Sequence, residues 1–273
     1  MADAGKWGDL TRRVVSAAVL IAIGVALALA QGVYLWGGVA LFMALTFWEL
    51  ARMTGWRGPA RLTTQAARLR PVVLAVIAGL SLFAALGLPP VFALPVLLIP
   101  VGAGVPGAIP RDRLTYALFG TAIMAVGFEL VHLRQEYGLP FILWLMGVVI
   151  LSDVLGYFAG RIIGGPKFWP RISPKKTWSG TVAGWIGAVL FATLLWALGM
   201  AEIGLIVISP FVALAGQLGD IAESWLKRRA GVKDSSNLIP GHGGFMDRFD
   251  AVSGAVLAVM VASWLLRLPQ VGL

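Results

Sequence analysis

The feature that most constrains the fold is a series of apolar segments that fills most of the chain. Only 13% of the 273 residues are charged, against about 25% in a typical soluble domain. Most of the segments approach the roughly 20 apolar residues that a helix needs to cross a bilayer. The sequence therefore predicts an all-α polytopic membrane protein with about nine transmembrane helices. The segments cover approximately residues 14–30, 33–50, 72–88, 90–105, 114–133, 139–158, 181–200, 203–225 and 251–268.

The basic residues predict how these helices are oriented. If the N-terminus is cytoplasmic and the sides alternate, twenty of the 22 Lys and Arg residues lie inside, and only Arg134 and Arg267 lie outside. Cytoplasmic loops of membrane proteins carry such an excess. We therefore expect a multi-pass protein of the inner (cytoplasmic) cell membrane with its C-terminus outside. The same bias accounts for the net charge of +9 without a nucleic-acid partner.

The first apolar segment has two interpretations. It follows Lys6, Arg12 and Arg13 and ends at residues 28–30 in Ala-Leu-Ala, as a cleaved secretory signal does. Its apolar run is longer than that of a typical signal, and a second apolar segment follows at once. We therefore expect an uncleaved first helix.

The chain can be divided near residue 140 into an N-terminal region of apolar spans and a C-terminal region that also contains polar loops. Residues 1–140 hold about five spans, whereas residues 141–273 hold two loops rich in polar residues, 159–180 and 226–250. Both loops fall on the predicted cytoplasmic side. Residues 52–70 carry five arginines and no acidic residue, which predicts contact with anionic lipid head groups.

The loop 226–250 changes charge along its length. Cations come first, a glycine-rich turn at residues 240–244 follows, and carboxylates end it. Such a combination suits a polyphosphate and its metal ions. The alternative is a basic loop that only fixes membrane orientation. The candidate residues are Lys227, Arg228, Lys233, Gly241, His242, Gly243, Gly244, Asp247, Arg248 and Asp250.

Acidic residues inside predicted spans are a second signal, because a charge at mid-bilayer costs at least about 2.5–3.5 kcal/mol. Asp153 and Asp220 lie one to two turns inside the cytoplasmic ends of their helices. Glu223 follows Asp220 at i+3, and Lys227 continues that face. A ladder of internal ion pairs is the alternative to a functional site here. Glu49 lies near a cytoplasmic helix end, and we interpret it as structural.

The loop 159–180 combines lysines with hydroxyl groups. Lys175 and Lys176 are compact charges that suit phosphate oxygens. The alternative is again a loop that only orients the protein. The candidate residues are Arg161, Ser173, Lys175, Lys176 and Thr177.

The composition limits which metal the chain can bind. There is no cysteine, and the only two histidines, His132 and His242, are far apart, so zinc sites are excluded. A metal ion would be held by oxygen atoms, as Mg²⁺ is.

The run from Ser224 to Asp250 resembles the signature of the phosphatidate cytidylyltransferases (CDP-diacylglycerol synthases). It reads S-x-L-K-R-x4-K-D-x-S-x2-I-P-G-H-G-G-F-x-D-R-F-D. The segments 153–161 and 172–180 also resemble that family, although many of its members have glutamate where this chain has Ser179. The resemblance covers most of residues 150–255.

The resemblance implies an enzyme of phospholipid biosynthesis that converts CTP and phosphatidic acid to CDP-diacylglycerol and pyrophosphate. It also implies a divalent metal requirement and a homodimer. We expect Mg²⁺, as two ions, with Asp220 and Asp247 as ligands and Asp250 as a third candidate. Lys227, His242 and Arg248 are the other expected catalytic residues. The expected substrate-binding residues are Asp153, Arg161, Ser173, Lys175, Lys176, Thr177, Arg228, Lys233, Gly241, Gly243 and Gly244.

An ion-coupled secondary transporter is the chief alternative, because acidic residues inside helices mark ion pathways. Such a protein would show related half-repeats and acids spread across the bilayer. The sequence instead concentrates its unusual residues near one predicted face.

Overall fold

A computed structural model describes the backbone of residues 3–55 and 65–272 and the side chains of residues 15, 16, 18–55 and 69–272. Within these ranges the protein has nine α-helices and one short β-hairpin, and every predicted apolar segment coincides with a helix. The helices are α1 Asp3–Leu29, α2 Gly32–Thr54, α3 Gln65–Leu86, α4 Pro90–Gly104, α5 Arg113–Glu136, α6 Gly138–Ile162, α7 Trp178–Ala197, α8 Gly204–Arg229 and α9 Met246–Leu265.

Eight of the described helices, α2 to α9, lie in stretches long and apolar enough to cross a membrane, and α1 contributes a shorter apolar stretch, Ala18–Leu29. Their apolar side chains are often exposed, as in α4, where Val91 is 71% and Phe92 60% exposed. Such surfaces are unfavourable in water and suit lipid chains. The prediction of an all-α polytopic membrane protein is confirmed, and the orientation of the termini stays a prediction.

The chain forms two compact units. The first contains Met1–Val131 and Ala230–Arg248, and the second contains His132–Arg229 and Phe249–Leu273. The polar segment 230–248 therefore belongs with the N-terminal helices, although the predicted division near residue 140 assigns it to the C-terminal region.

The first unit has a well-filled apolar core. Phe47 of α2 packs edge to face against Tyr116 of α5, with ring centroids 5.8 Å apart. At the end of α4, the Tyr116 hydroxyl donates to the carbonyl of Pro100 at 2.9 Å, and Arg70 donates to the carbonyl of Gly104 at 2.7 Å. These bonds satisfy carbonyl groups at a proline-containing helix end, where water is scarce.

The second unit is held by a buried polar network. The side chain of Gln217 donates to Ser152 Oγ at 3.0 Å and to the carbonyl of Thr181 at 3.2 Å. Trp185 donates to Gln217 Oε1 at 3.1 Å. Because Gly184 has no side chain, this network fits between α6, α7 and α8. Hydrogen bonds of this kind fix how helices pack in a membrane.

The loop 159–180 contains a hairpin that the sequence did not predict. Strand β1, Lys167–Trp169, pairs antiparallel with β2, Ser173–Thr177. Thr177 ends the hairpin and caps α7, since its hydroxyl accepts from the N–H of Gly180 at 3.2 Å. Residues 174–176 are thereby carried on an ordered strand directly before a helix.

Candidate functional site

Three carboxylates converge in the second unit. Asp220 and Glu223 of α8 and Asp250 of α9 each have an oxygen atom within 4.8 Å of the other two. Glu223 is buried, and the other two are half-buried. We call these three residues the acidic cluster.

Small residues allow α8 and α9 to approach closely beside the acidic cluster. A Cβ atom added to Gly219 would lie 3.0 Å from the Cα atom of Gly254, and one added to Gly216 would lie 3.1 Å from the carbonyl oxygen of Ala251. Close backbone approach through small residues is typical of membrane helices. It brings Asp250 to Asp220 and Glu223, which the i, i+3 spacing had already set on one face of α8.

Two lysines lie against the acidic cluster. Lys176 Nζ is 2.6 Å from Asp220 Oδ2 and also donates to the carbonyl of Gln217 at 3.2 Å. Lys227 Nζ is 2.6 Å from Glu223 Oε2. Asp153 interacts electrostatically with Lys176 and Asp220. The hairpin lysine and the predicted acids of α6 and α8 are thus brought together as expected.

The donor set of the acidic cluster fits a hard divalent cation. Three carboxylate oxygens within 4.8 Å of one another repel each other strongly in surroundings of low dielectric constant. Oxygen donors of this kind are the ligands of Mg²⁺. Asp220 and Asp250 were predicted as ligands. Glu223 was missed because its spacing from Lys227 also predicted an ion pair, and the structure contains that pair as well.

Asp247, the other predicted ligand, has a different environment in the first unit. Its Oδ2 atom accepts hydrogen bonds from the N–H of Ser235 at 2.9 Å and the N–H of Gly244 at 2.8 Å. It also lies 3.0 Å from the Ser235 hydroxyl oxygen, whose single hydrogen it shares with Glu49. This oxygen therefore holds the loop 235–246, which we call the signature loop, in shape. Metal ligation by Asp247 stays a prediction.

The histidine of the signature loop is held at both its ring and its backbone. Gly241 and Gly243 have φ angles of 78° and 83°, which favour glycine, so the chain turns sharply around His242. Arg248 donates to the carbonyl of His242, at 2.7 Å from Nη2. On the other side, Ser16 Oγ lies 2.8 Å from the Nδ1 atom of His242.

Ser16 contacts both the ring of His242 and the backbone of the turn. Its hydroxyl oxygen lies 2.8 Å from Nδ1 of His242 and 3.0 Å from the carbonyl oxygen of Pro240, and its single hydrogen can be donated to either. The two contacts hold the ring of His242 in a defined orientation.

The remaining predicted residues are accessible or structural. Lys175, Arg228 and Lys233 are exposed and Ser173 is half-buried, while Arg161 donates to the hydroxyl of Tyr157 at 2.8 Å. Contact with substrate stays a prediction for each.

The arginines at 57 and 61, predicted to contact lipid head groups, lie outside the described residues, and of Arg68 only the backbone is described.

Glu49, which the sequence analysis interpreted as structural, is fully buried. It accepts hydrogen bonds from the Ser236 hydroxyl and from the N–H groups of Phe245 and Met246, and the Ser235 hydroxyl lies 3.1 Å from its Oε2 atom. Its partners lie more than 180 residues away along the chain, so no local pattern could have identified them.

The fold and the acidic cluster define a polytopic α-helical membrane protein with a candidate site for a cation and an anionic ligand. The chain belongs to the cytidylyltransferase family, whose sequence profile matches residues 11–266. The family resemblance drawn from the motifs is thus confirmed.

Curated relatives carry the name phosphatidate cytidylyltransferase. The protein of Brucella abortus biovar 1 (strain 9-941) is 38% identical over 156 residues, which are 56% of this chain and 58% of the relative. That of Bacillus subtilis (strain 168) is 44% identical over 120 residues, 43% of this chain and 45% of the relative. That of Staphylococcus aureus (strain COL) is 38% identical over 144 residues, 50% of this chain and 54% of the relative. The chain thus spans about half the length of these relatives.

Proposed function

We propose that this protein is a phosphatidate cytidylyltransferase of the inner membrane, with its site facing the cytoplasm. It would take CTP and phosphatidic acid and release CDP-diacylglycerol and pyrophosphate. The observation that carries the proposal is the acidic cluster with its two adjacent lysines, set at the ends of membrane helices in a chain of the cytidylyltransferase family.

The reaction joins two anions. A phosphate oxygen of phosphatidic acid attacks the α-phosphorus of CTP, a new P–O–P bond forms, and the bond from the α-phosphorus to the β-phosphate oxygen breaks. Pyrophosphate leaves with that electron pair. The attacking phosphate is already ionised at neutral pH, so the protein must chiefly position the reactants and compensate their charge.

The acidic cluster would hold the divalent metal. Asp220, Glu223 and Asp250 offer the oxygen donors that Mg²⁺ prefers, and Asp247 stays a predicted fourth ligand. When bound, the metal supplies positive charge to the phosphate oxygens. Lys176 and Lys227 lie 2.6 Å from cluster carboxylates, within reach of phosphates that share the same cation.

The signature loop would bind further phosphate oxygens. Its turn at Gly241 and Gly243 leaves the backbone free of bulky side chains, and Gly-rich turns of this kind cradle anions. The ring of His242, which contacts Ser16 at 2.8 Å from Nδ1, would position a phosphate oxygen or a ribose hydroxyl.

A direct assay tests the proposal. Purified protein in detergent is incubated with CTP labelled at the α-phosphate, phosphatidic acid and Mg²⁺. We expect label in the lipid phase as CDP-diacylglycerol, with one pyrophosphate released for each lipid labelled. Folded protein that makes no lipid-linked cytidylate would refute the proposal, and counterflow of a solute in vesicles without product would favour a transporter.

A further inference from the structure

The buried carboxylate of Glu49 organises the signature loop from the last two turns of α2. Its Oε1 atom accepts from the Ser236 hydroxyl at 2.5 Å and from the N–H of Phe245 at 2.9 Å. Its Oε2 atom accepts from the N–H of Met246 at 2.7 Å and lies 3.1 Å from the Ser235 hydroxyl oxygen, whose single hydrogen it shares with Asp247. Each oxygen thus accepts from one backbone N–H and lies beside one serine hydroxyl.

These bonds also fix the start of α9. Met246 is the first residue of that helix, where backbone N–H groups have no partner within the helix. A carboxylate beside a helix N-terminus is further stabilised by the helix dipole. The ring of Phe245 packs against Phe42, which lies about two turns before Glu49 on the same face of α2, with centroids 4.8 Å apart. The loop is therefore held to α2 at both polar and apolar points.

The geometry requires a carboxylate at this position. In a glutamine, one of the two terminal atoms would be an NH₂ group. Serine hydroxyls can rotate to accept from it, but the backbone N–H of Phe245 or Met246 cannot. Either orientation of the amide therefore sets a donor against a donor, which leaves buried polar groups unsatisfied. Aspartate is one methylene too short to reach the same atoms.

The contact extends to a residue of the proposed reaction. Ser235 Oγ lies 3.1 Å from Glu49 Oε2 and 3.0 Å from Asp247 Oδ2. Gly244 lies next to both carboxylates, because a Cβ atom added there would collide with Glu49. Displacing Glu49 would therefore displace Asp247, and with it the turn that carries His242.

We propose that Glu49 is a positioning residue for phosphatidate cytidylyl transfer, an inference that rests on the proposed function above. It acts through the signature loop by fixing Asp247 and His242. It does not touch substrate itself.

The test compares Glu49→Gln with a matched control, Thr46→Val. Thr46 is buried on the same helix, and its hydroxyl donates to the carbonyl of Phe42 at 3.0 Å. We expect Glu49→Gln to lower kcat about 100-fold, as small misplacements of catalytic groups do, with little change in the KM for CTP. Glu49→Asp should not restore the rate. Thr46→Val should keep kcat within about twofold of that of the unaltered protein, because this replacement lies outside the signature loop.

Hydrogen–deuterium exchange measures how well the signature loop is ordered, independently of the rate of the reaction. In Glu49→Gln the peptide that covers residues 239–248 should exchange at least about tenfold faster, because the amide of either Phe245 or Met246 loses its acceptor. Thr46→Val should leave that exchange unchanged. Unchanged exchange in Glu49→Gln, or faster exchange with a normal kcat, would overturn the proposal. If unaltered protein lacks activity, the proposed function fails, and the positioning role for this reaction is overturned with it, although the exchange still decides whether Glu49 orders the loop.

A milder variant covers the case in which Glu49→Gln does not fold. Ser236→Ala removes one of the four donors to Glu49 and leaves the carboxylate in place. It should speed exchange of the same peptide and lower kcat about three- to tenfold, in line with the loss of one hydrogen bond. Ser236→Ala with unchanged exchange and kcat would overturn the proposal.

Discussion

The two units of this protein each contain buried or half-buried carboxylates, and these differ in the groups that surround their negative charge. Glu49 and Asp247, in the first unit, accept hydrogen bonds from N–H and O–H groups of the signature loop. The acidic cluster of the second unit instead faces other carboxylates and two lysines. A carboxylate surrounded by the chain's own donors fixes the backbone, whereas carboxylates gathered against each other attract a cation.

This difference predicts opposite responses to the same chemical change. Converting a carboxylate of the acidic cluster to an amide removes repulsion and cation binding, so the fold is retained and activity is lost. Converting Glu49 to glutamine disturbs backbone bonds, so order in the signature loop is lost first. Each prediction below tests one side of that contrast.

The largest effect is expected in the acidic cluster. Asp220→Asn and Asp250→Asn should each lower kcat about 100-fold or more, because each would remove a carboxylate from the proposed metal site. Thermal unfolding in detergent should show no loss of stability. A rate near that of the unaltered protein in either variant would remove that residue from the site.

A substitution of Lys176 tests whether its ammonium group, which lies beside Asp220, takes part in the reaction. Lys176→Met should lower kcat/KM for CTP about tenfold or more, since a charge-assisted contact of this kind contributes about 1.5–3 kcal/mol. Lys167→Met, an exposed change in the same hairpin, is the matched control. Equal activity in the two variants would contradict a role for Lys176 in binding CTP.

Ser16 tests whether the orientation of His242 matters for the reaction. Ser16→Ala removes the hydroxyl beside Nδ1 and should lower kcat about three- to tenfold, the loss of about one hydrogen bond. Ser16→Thr keeps a hydroxyl and should recover most of the rate. If Ser16→Ala matches the unaltered protein in steady-state kinetics, the orientation of His242 does not depend on this contact.

The smallest effect is expected far from either set of carboxylates. Tyr116→Phe removes the hydrogen bond to the carbonyl of Pro100 and should lower the free energy of unfolding by about 1 kcal/mol. Activity should be unchanged. Denaturant titration in detergent micelles measures the first quantity, and a fall in kcat would show that this part of the first unit also affects catalysis.

The parts of the structure that follow from local sequence were predictable. Apolar length located all nine helices, because the bilayer sets how many apolar residues a span needs. The spacing of Asp220 and Glu223 set both on one face of α8, and charge inside a span marked Asp220 as costly to bury. Asp250, named from the sequence as a third candidate ligand, lies in the acidic cluster.

The parts that depend on distant partners were not predictable. Glu49 bonds to residues 186 to 197 positions away, and Ser16 contacts His242 across 226 positions. Neither pairing leaves a periodic trace in the sequence. The β-hairpin was missed because its two strands span only three and five residues, too few for an alternating pattern to be recognised.

The most direct test of the central claim is binding of Mn²⁺, a paramagnetic substitute for Mg²⁺, measured by electron paramagnetic resonance without nucleotide. The unaltered protein should bind Mn²⁺ in competition with Mg²⁺. Asp220→Asn, Glu223→Gln and Asp250→Asn should each weaken binding at least about tenfold, whereas Glu136→Gln, a change at an exposed carboxylate, should not. Equal Mn²⁺ binding by the cluster variants and the unaltered protein would contradict a cation site at the acidic cluster.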